Sequence, residues 1–357
     1  MIRTLEQQIK EHARAIGFDL VGIAPASESD GFAQLTEWLN QGHDGEMAYM
    51  RKHAEARRHP RSILPDVRSV VMVALNYKPA EDVPASPDLH KPLGQVSWYA
   101  RGTDYHEVMR DKLKTLLLAV QAIRPGTRGR GVVDTAPLLE RDFARRAGLG
   151  WFGKNTMLIN KKLGSWFFLG GLLLDVELTS DTPFTPTHCG SCRRCLDACP
   201  TQAFTAPYQL DARLCISYLT IELRGTIAEE LREPMGDWVF GCDICQDVCP
   251  WNTKAPVGRD ERLQEERAGS FVDLLSVMSL TEAEFQARFA GTPLLRTGRA
   301  GLLRNCAIAL GNVGDESAVG VLERACADAD RVVRESAAWA LHRLRQRLGL
   351  SSEPRMK

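Results

Sequence analysis

The chain carries cysteines at the spacing that iron–sulfur proteins use. Cys189 begins a C-x2-C-x2-C-x3-C-P run, and Cys242 begins a second run that repeats its last three cysteines and its proline. In such a run three thiolates hold one [4Fe–4S] cluster, and the fourth reaches towards a neighbouring cluster. Together with Cys215, the two runs supply eight thiolates, the number that two [4Fe–4S] clusters need.

This crossed arrangement predicts two sets of ligands. The first cluster is predicted to be bound by Cys189, Cys192, Cys195 and Cys249. The second is predicted to be bound by Cys199, Cys215, Cys242 and Cys245. A zinc site or a disulfide framework is the alternative, but zinc needs only four ligands and has no use for the three-residue gap before Cys-Pro. The remaining Cys306 and Cys326 fall on apolar helical positions, which predicts core thiols.

Composition indicates a globular protein of two or three domains. The chain has 357 residues, of which 44% are hydrophobic and 25% charged. The longest apolar run, residues 166–174, is far too short to span a membrane. Charged residues at helical spacing near the N-terminus predict a helix and neither a secretory signal nor a twin-Arg leader. Open cluster thiolates need a reducing compartment, so we expect a cytoplasmic protein without a membrane partner.

The first 180 residues predict a domain of mixed helices and strands. The predicted elements are a helix over residues 4–16, strands over 19–24 and 69–75, a helix over 105–123 and a strand-like stretch over 166–178 that two glycines interrupt. This alternation is typical of an α/β or α+β domain, which we place at residues 1–180. Prolines and threonines in residues 181–188 predict a linker, and the cluster domain is placed at 181–256.

The third segment, residues 257–357, predicts a different, helical architecture. Ala307–Leu310 (AIAL) is followed 31 residues later by Ala338–Leu341 (AWAL), with a predicted helix over 317–327 between them. A period just above 30 residues with small residues at the seam is typical of HEAT-type repeats. One repeat and a half is short, so this domain is expected to pack against the rest of the chain. The fold class is therefore α+β with several domains.

Two common cofactor motifs are absent from the sequence. No G-x-G-x-x-G opens a helix after a strand, and no G-x4-G-K-[ST] occurs. Electrons delivered singly by clusters nevertheless need a terminal acceptor, and difficult reductions need a cofactor. A less common cofactor is therefore expected in the first domain.

Four strings of the sequence resemble the epoxyqueuosine reductase family. They are residues 131–156 (GVVDTAPLLERDFARRAGLGWFGKNT), 97–106 (SWYARGTDYH), 164–170 (GSWFFLG) and 215–222 (CISYLTIE). The resemblance covers nearly the whole chain and implies a cobalamin-dependent iron–sulfur oxidoreductase. Such an enzyme reduces epoxyqueuosine at the wobble position of a tRNA with a GUN anticodon to queuosine, the last step of queuosine biosynthesis. The clusters would pass electrons singly and produce cob(I)alamin.

The resemblance also implies that Asp134 is the proton donor. A carboxyl group acts as an acid near neutral pH only if its pKa is raised, and burial raises it. The neighbouring Val132 and Val133 permit an apolar pocket of that kind. The alternative is that Asp134 only caps the turn before a helix predicted over residues 136–147.

Cobalamin contacts follow from the resemblance alone. The implied residues are Arg57, Ser97, Tyr105, His106, Asp134, Leu169, Ser217, Cys242 and Asp243. Without the resemblance, Arg57 could lie on a solvated face, Leu169 could be plain core, and the Tyr-His pair could serve packing or capping. The sequence D-x-H-x-x-G marks proteins that place His on cobalt, but Met109 stands where its Gly belongs. We therefore predict base-off cobalamin without a protein His ligand.

Positive charge is concentrated near the C-terminus although the net charge is zero. Residues 291–357 contain eleven Lys or Arg against seven Asp or Glu. Such cations contact RNA phosphates. The predicted tRNA contacts in this segment are Arg296, Arg299 and Arg304, and further candidates nearer the mouth of the pocket are Arg141, Lys154, Lys161 and Arg224. The alternative is that these charges only keep the protein in solution. We also expect an external one-electron donor of the flavodoxin or ferredoxin type, and a monomer.

Two other functions compete with this interpretation. A cobalamin-dependent reductive dehalogenase shares the plan of corrin and two clusters, but normally carries a twin-Arg signal and no helical repeat. An electron-transfer protein would bind a partner through its repeat and perform no chemistry. The string around Asp134 argues against such a relay, and detection of a stoichiometric corrinoid would separate the relay from both enzymes.

Overall fold

The structure is a computed structural model that describes residues 3–80 and 91–350. Its α-helices in this part of the chain are α1 (Leu5–Ile16), α2 (Phe32–Asn40), α3 (Ala48–Lys52), α4 (Tyr105–Ile123), α5 (Glu140–Arg146), α6 (Arg194–Asp197), α7 (Ile216–Ile221), α8 (Glu229–Arg232), α9 (Ile244–Asp247), α10 (Glu261–Gln264), α11 (Leu274–Met278), α12 (Glu282–Arg288), α13 (Gly298–Val313), α14 (Ala318–Ala325) and α15 (Arg331–Leu348). No helix among the described residues is both long and apolar enough to cross a membrane.

Local sequence sets the limits of the two helices that were predicted in the first domain. Thr4 and Gln7 form a capping box at the start of α1, and Gly17 ends the helix at a φ of 103°. The Asp104 side chain accepts a hydrogen bond from the His106 amide at the start of α4, which covers the predicted residues 105–123. Both predicted helices are confirmed.

The strands described are β1 (Leu20–Pro25), β2 (Ser69–Asn76), β3 (Leu93–Val96), β4 (Gly129–Val132), β5 (Trp151–Phe152), β6 (Leu158–Ile159), β7 (Phe167–Leu174), β8 (Trp238–Phe240) and β9 (Phe271–Asp273). An antiparallel sheet has the order β1-β2-β7-β4. One face of β2 packs on α1 and α4, and the other face packs on α5. The sheet is therefore covered on both sides, which explains why every residue of β2 is buried.

Strand β7 runs without a break through Gly170 and Gly171, so the predicted interruption is wrong. A Cβ atom on Gly170 would lie 2.7 Å from Cε of Met109 on α4. The glycines therefore allow α4 to approach the sheet closely. This close approach brings the first turn of α4 next to the end of β4 and helps to form the site described below.

A second sheet joins the three predicted segments. Its order is β8-β3-β9, with β3 parallel to β8 and antiparallel to β9. One hydrophobic core extends from this sheet to α13, α14 and α15. Cys306 is buried in this core and Cys326 packs against it, which confirms both as core thiols.

Arg304 on α13 is buried with no exposed surface, which contradicts its predicted contact with tRNA. Its guanidinium donates hydrogen bonds to the carbonyl oxygens of Leu219, Leu223 and Gly225 and to the side chain of Asn305. These acceptors lie in and after α7, where helical carbonyls lose their backbone partners. Arg304 therefore fastens the C-terminal helices to the cluster segment.

Candidate active site and cluster sites

The end of β4 and the first turn of α4 bring three predicted site residues together. Tyr105 and His106 begin α4, and Asp134 lies in the loop just after β4. Both ring nitrogens of His106 are bound by carboxylates: Nδ1 lies 2.7 Å from Asp104 Oδ1, and Nε2 lies 2.7 Å from Asp134 Oδ1. The Tyr105 hydroxyl donates to the other carboxylate oxygen of Asp134.

The capping role considered for Asp134 is wrong, because its side-chain partners are on α4. The helix that it was expected to cap begins only at Glu140. The Asp134 side chain is held by Tyr105 and His106, yet 42% of its surface stays exposed. The exposed surface around Asp134 and Arg296 is the candidate cleft. This is a suitable position for a group that exchanges a proton with a bound molecule.

The pKa of Asp134 is lowered, so the expectation that burial raises it is also wrong. Burial alone does raise this pKa, but the hydrogen bond and charge of His106, the Tyr105 hydroxyl and the charge of Arg296 outweigh it. Burial lowers the pKa of His106, but hydrogen bonds to Asp104 and Asp134 outweigh this effect and raise the pKa to about 9. At neutral pH the proton is therefore on the imidazole, between two carboxylates.

Arg296 belongs to this network, although it was predicted only as an RNA contact. It lies on a 3₁₀ helix, Pro293–Thr297, from the far end of the chain. Its Nη1 atom lies 3.9 Å from Asp134 Oδ2 and 3.4 Å from the Tyr105 hydroxyl oxygen. The guanidinium thus stabilises the Asp134 anion, while 36% of its side chain stays exposed to the cleft.

Two residues that sequence reasoning missed, Glu140 and Tyr49, lie close enough to Asp134 to interact with its charge. Burial and the charge of Asp134 raise the pKa of Glu140 to about 8, and its Oε1 atom is buried without a hydrogen-bond partner among the described residues. Burial lowers the pKa of Arg57, and the charges of Glu140 and Tyr49 oppose this shift. Glu140 lies in the string around Asp134 and could have been singled out there, whereas Tyr49 carries no sequence signal.

Two other predicted cofactor contacts, Ser97 and Asp243, meet where the first domain contacts the second cysteine run. The Ser97 hydroxyl donates to Asp243 Oδ1 at 2.5 Å, and the Trp98 amide donates to Asp243 Oδ2 at 2.7 Å. Ser97, Arg57 and Asp243 are buried, while Leu169 and Ser217 are half-buried. Asp243 therefore holds the Cys242 segment against residues 97–98.

Four cysteines line one cavity of about 260 Å³. They are Cys189, Cys192, Cys195 and Cys249, the last of which comes from the second run. His188 also lines this cavity, and its Nε2 atom is buried and unpartnered within the described part of the chain. Four thiols and an unused N–H donor around one cavity fit an iron–sulfur cluster, whose sulfur atoms accept hydrogen bonds.

The other four cysteines lie close enough to affect one another. Burial raises the pKa of Cys242, and the charges of Cys215 and Cys199 raise it further. Burial also raises the pKa of Cys245, again with contributions from Cys215 and Cys242. These four thiols form a second donor set that suits an iron–sulfur cluster.

Comparison with known proteins identifies the family. Residues 188–252 match the family model described as "4Fe-4S double cluster binding domain", and residues 57–135 match "Epoxyqueuosine reductase QueG, DUF1730". An epoxyqueuosine reductase from Xanthomonas campestris pv. campestris is 43% identical, with 94% of each chain covered. The chain belongs to the epoxyqueuosine reductase family. The enzyme of that name from Escherichia coli K12 is 40% identical, covering 95% of this chain and 89% of the relative.

Solved epoxyqueuosine reductases have the same mixed α/β fold. One was crystallised with a tRNA-Tyr epoxyqueuosine-modified stem loop; it has a TM-score of 0.88 and 31% identity, covering 95% of this chain and 90% of that one. A structure from Bacillus subtilis, with its catalytic aspartate loop swung out of the active site, has a TM-score of 0.87 and 31% identity over the same shares. The chain is thus an oxidoreductase with a double-cluster domain.

In this member of the epoxyqueuosine reductase family, the predicted RNA-binding cations differ in accessibility. Arg141, Lys161 and Arg224 are exposed. Arg224 donates to the carbonyl oxygens of Arg296 and Thr297, so it also supports the 3₁₀ helix that carries Arg296. These three residues and Arg296 are the members of the predicted set that can present charge to a ligand.

Two further members of the predicted set have other partners. Lys154 Nζ donates to the carbonyl oxygens of Gly190 and Cys192, at 2.7 and 2.9 Å, and so lies on the first cysteine run. Arg299 donates to the Leu280 carbonyl at 2.6 Å and pairs with Asp328 at 2.7 Å. Both side chains are half-buried, and the Arg299 charge is paired with Asp328, so these two residues are less accessible to RNA than the exposed members of the set.

Proposed function

We propose that this chain reduces epoxyqueuosine in tRNA to queuosine, with two [4Fe–4S] clusters, cobalamin and Asp134 as proton donor. The observation that carries the proposal is the hydrogen-bonded network of Asp104, His106, Asp134 and Tyr105 in a chain of this family. The relatives' name and the relative crystallised with a modified stem loop support tRNA as the substrate.

The chemistry of the reaction explains why such a network is needed. Conversion of an epoxide to an alkene and water consumes two electrons and two protons. His106 Nε2–H passes its proton to Asp134 through the 2.7 Å hydrogen bond, and Asp134 delivers that proton to the departing oxygen. Glu140, whose pKa is about 8, keeps a second exchangeable proton in the same cleft. His106 is therefore the proton store, and Asp134 is the group that transfers it.

Cobalamin is proposed to lie between the first domain and the second cysteine run. Its contacts would be Arg57, Ser97, Tyr105, His106, Asp134, Leu169, Ser217, Cys242 and Asp243. When bound and reduced, cobalamin supplies a strongly nucleophilic metal centre. The unpartnered Glu140 Oε1 atom beside Arg57 supports a polar ligand in this cleft. Both His106 nitrogens are engaged by carboxylates, which supports cobalamin without a protein His ligand.

The clusters are proposed to divide the eight cysteines by the crossed pattern. The first cluster site is Cys189, Cys192, Cys195 and Cys249, and the second cluster site is Cys199, Cys215, Cys242 and Cys245. The shared cavity of the first four thiols supports this division. Residues 1–180 would hold cobalamin, 181–256 the clusters, and 257–357 a HEAT-like helical domain, with α13, α14 and α15 packed together.

The exposed cations Arg141, Lys161, Arg224 and Arg296 are the proposed contacts to tRNA phosphates. A flavodoxin or ferredoxin type of protein is the proposed one-electron donor. The protein would act as a monomer in the cytoplasm.

A single-stranded anticodon loop suits this site because its base can enter the cleft without the cost of opening a duplex.

Anaerobic turnover tests the proposed function directly. The protein would be reconstituted with iron and sulfide, supplied with cobalamin and a strong reductant, and mixed with tRNA that carries epoxyqueuosine. Mass spectrometry of the digested nucleosides should show the loss of one oxygen, and only when cobalamin is present. If the corrinoid binds in stoichiometric amount but the nucleoside stays unchanged, the substrate assignment is wrong.

The proposed proton store predicts how the rate depends on pH. Because the His106 pKa is about 9, the imidazolium is present at neutral pH and is lost as the pH rises through 9. The single-turnover rate should therefore fall above about pH 9 in the wild type. In His106→Gln the rate at pH 7 should fall by about 10²-fold, and the loss of rate centred near pH 9 should disappear, which leaves only the titration of Glu140 near pH 8.

The control for this pH profile is His342→Gln, because His342 is an exposed side chain on α15 that contacts Gln346. Its rate and profile should match the wild type. Cluster and cobalamin content would be measured at each pH so that cofactor loss is not mistaken for titration. An alkaline limb that persists unchanged in His106→Gln would contradict the role of His106 as the proton store.

A further inference from the structure

Different polar groups border the two cluster sites. Lys154 lines the cavity of the first cluster site, and its ammonium group is fixed there by the Gly190 and Cys192 carbonyl oxygens. The second cluster site has the carboxyl group of Asp243 beside Cys242, held by Ser97 and the Trp98 amide. A cation therefore borders the first set of thiols, and an acid borders the second.

His188 places an imidazole nitrogen at the first cluster site. Its ring lies edge-on to Trp151, with centroids 4.8 Å apart, and it also contacts Phe184 and Trp251. The carbonyl oxygen of His188 accepts a hydrogen bond from the Trp251 indole. This aromatic packing fixes the imidazole at the cavity, where Nε2 has no protein partner among the residues described. A sulfur atom is the acceptor that this cavity offers.

We infer that Lys154 and His188 hold the first cluster at a higher reduction potential than the second. A [4Fe–4S] cluster with four thiolates becomes more negative when it accepts an electron, so a nearby cation and N–H donors favour the reduced form. Asp243 beside Cys242 supplies neither a cation nor a donor to the second cluster, because both of its oxygen atoms accept hydrogen bonds from Ser97 and Trp98. An electron from the external one-electron donor therefore reduces the first cluster before it passes to the second.

This difference in potential has a consequence for electron delivery. Gly190, Ser191 and Arg193, next to cysteines of the first cluster site, are exposed, whereas Gly241, Asp243 and Gln246, next to Cys242 and Cys245 of the second, are buried. The first cluster is thus the one that a donor protein can approach, and a higher potential makes its reduction by that donor more favourable. The inference rests on the proposed division of the cysteines between the clusters, but not on the identity of the substrate.

A redox titration followed by electron paramagnetic resonance tests the inference. The reconstituted full-length protein, without cobalamin or tRNA, would be titrated as wild type and as Lys154→Met. The variant should show one cluster shifted to lower potential by about 59 mV, which corresponds to a tenfold change in a one-electron equilibrium, while the other cluster stays unchanged. The shifted signal should be the one that is absent from Cys249→Ala.

Three further variants make the result specific. Lys154→Arg keeps the charge and should keep the potential of the first cluster near that of the wild type. His188→Phe keeps the aromatic packing and, like Lys154→Met, should lower the potential of the first cluster. Lys161→Met removes an exposed lysine and should shift neither cluster. If Lys154→Met fails to retain its clusters, Lys154→Arg and His188→Phe decide the test. Unchanged potentials, or equal shifts of both clusters, would overturn the inference whatever the protein reduces.

Discussion

Asp134→Asn should lower the single-turnover rate of epoxide reduction by about 10²- to 10⁴-fold, the usual contribution of a positioned acid. The amide keeps the size of the side chain but cannot carry the transferable proton. It also removes one of the two carboxylates that raise the pKa of His106, so less imidazolium is available to supply the proton. Binding of modified tRNA should stay within about threefold of the wild type, since the exposed cations are unchanged.

The rate would be measured by quenching a reduced, cobalamin-loaded enzyme with modified tRNA and quantifying both nucleosides by mass spectrometry. Asp111→Asn is the matched control because it removes a carboxylate from the same helix as His106, at an exposed position paired with Arg262. That variant should react like the wild type. If Asp134→Asn retains more than a tenth of the wild-type rate, Asp134 is not the proton donor.

The residues of this site could be predicted from the sequence, but their protonation could not. Asp134 and His106 lie in strings that mark the family, and both are in the cleft. The pKa of Asp134 is lowered chiefly by His106, with a smaller contribution from Arg296, which reaches Asp134 only through the packing of the C-terminal segment. The apolar neighbours Val132 and Val133 are buried, but their presence in the sequence does not reveal the charges that outweigh the effect of burial on Asp134.

In the fold, too, some elements are determined by local sequence and others by residues far apart in the chain. Helix α4 was predictable because an Asp cap, an amphipathic pattern and a Pro-Gly stop all lie within it or next to it. Strand β3 has four residues without a distinctive pattern, and it exists because β8 and β9 flank it. Its partners come from two other predicted segments, so no local signal could reveal the second sheet.

Charge in a sequence also fails to distinguish a ligand contact from a structural one. Arg296, Arg299 and Arg304 lie within nine residues, yet Arg296 faces the cleft, Arg299 pairs with Asp328 and Arg304 is buried. A buried guanidinium is tolerated at Arg304 because carbonyl oxygens after α7 accept its hydrogen bonds. The free carbonyl oxygens at the end of α7 therefore explain why Arg304 is buried while Arg296 is not. The sequence does not show that these carbonyls lie next to Arg304.

Cys249→Ala should remove the first cluster and leave the second, although Cys249 lies in the second cysteine run. The reason is that Cys249 shares its cavity with Cys189 and its neighbours in the first run. Iron per chain should fall by about half, since one of two four-iron clusters is lost, and turnover with a protein electron donor should stop. Cys306→Ala is the control, because that thiol is buried in the helical core and should not change the iron content.

The double variant Cys189→Ala/Cys249→Ala separates the crossed arrangement from an uncrossed one. If both thiols serve the same cluster, the second substitution removes a ligand from a site already lost, and the double variant should keep about as much iron as either single variant. If each run instead binds its own cluster, the two losses add and nearly all iron disappears. Iron and acid-labile sulfide analysis would distinguish these outcomes, and a near-complete loss of iron in the double variant alone would contradict the crossed ligand sets.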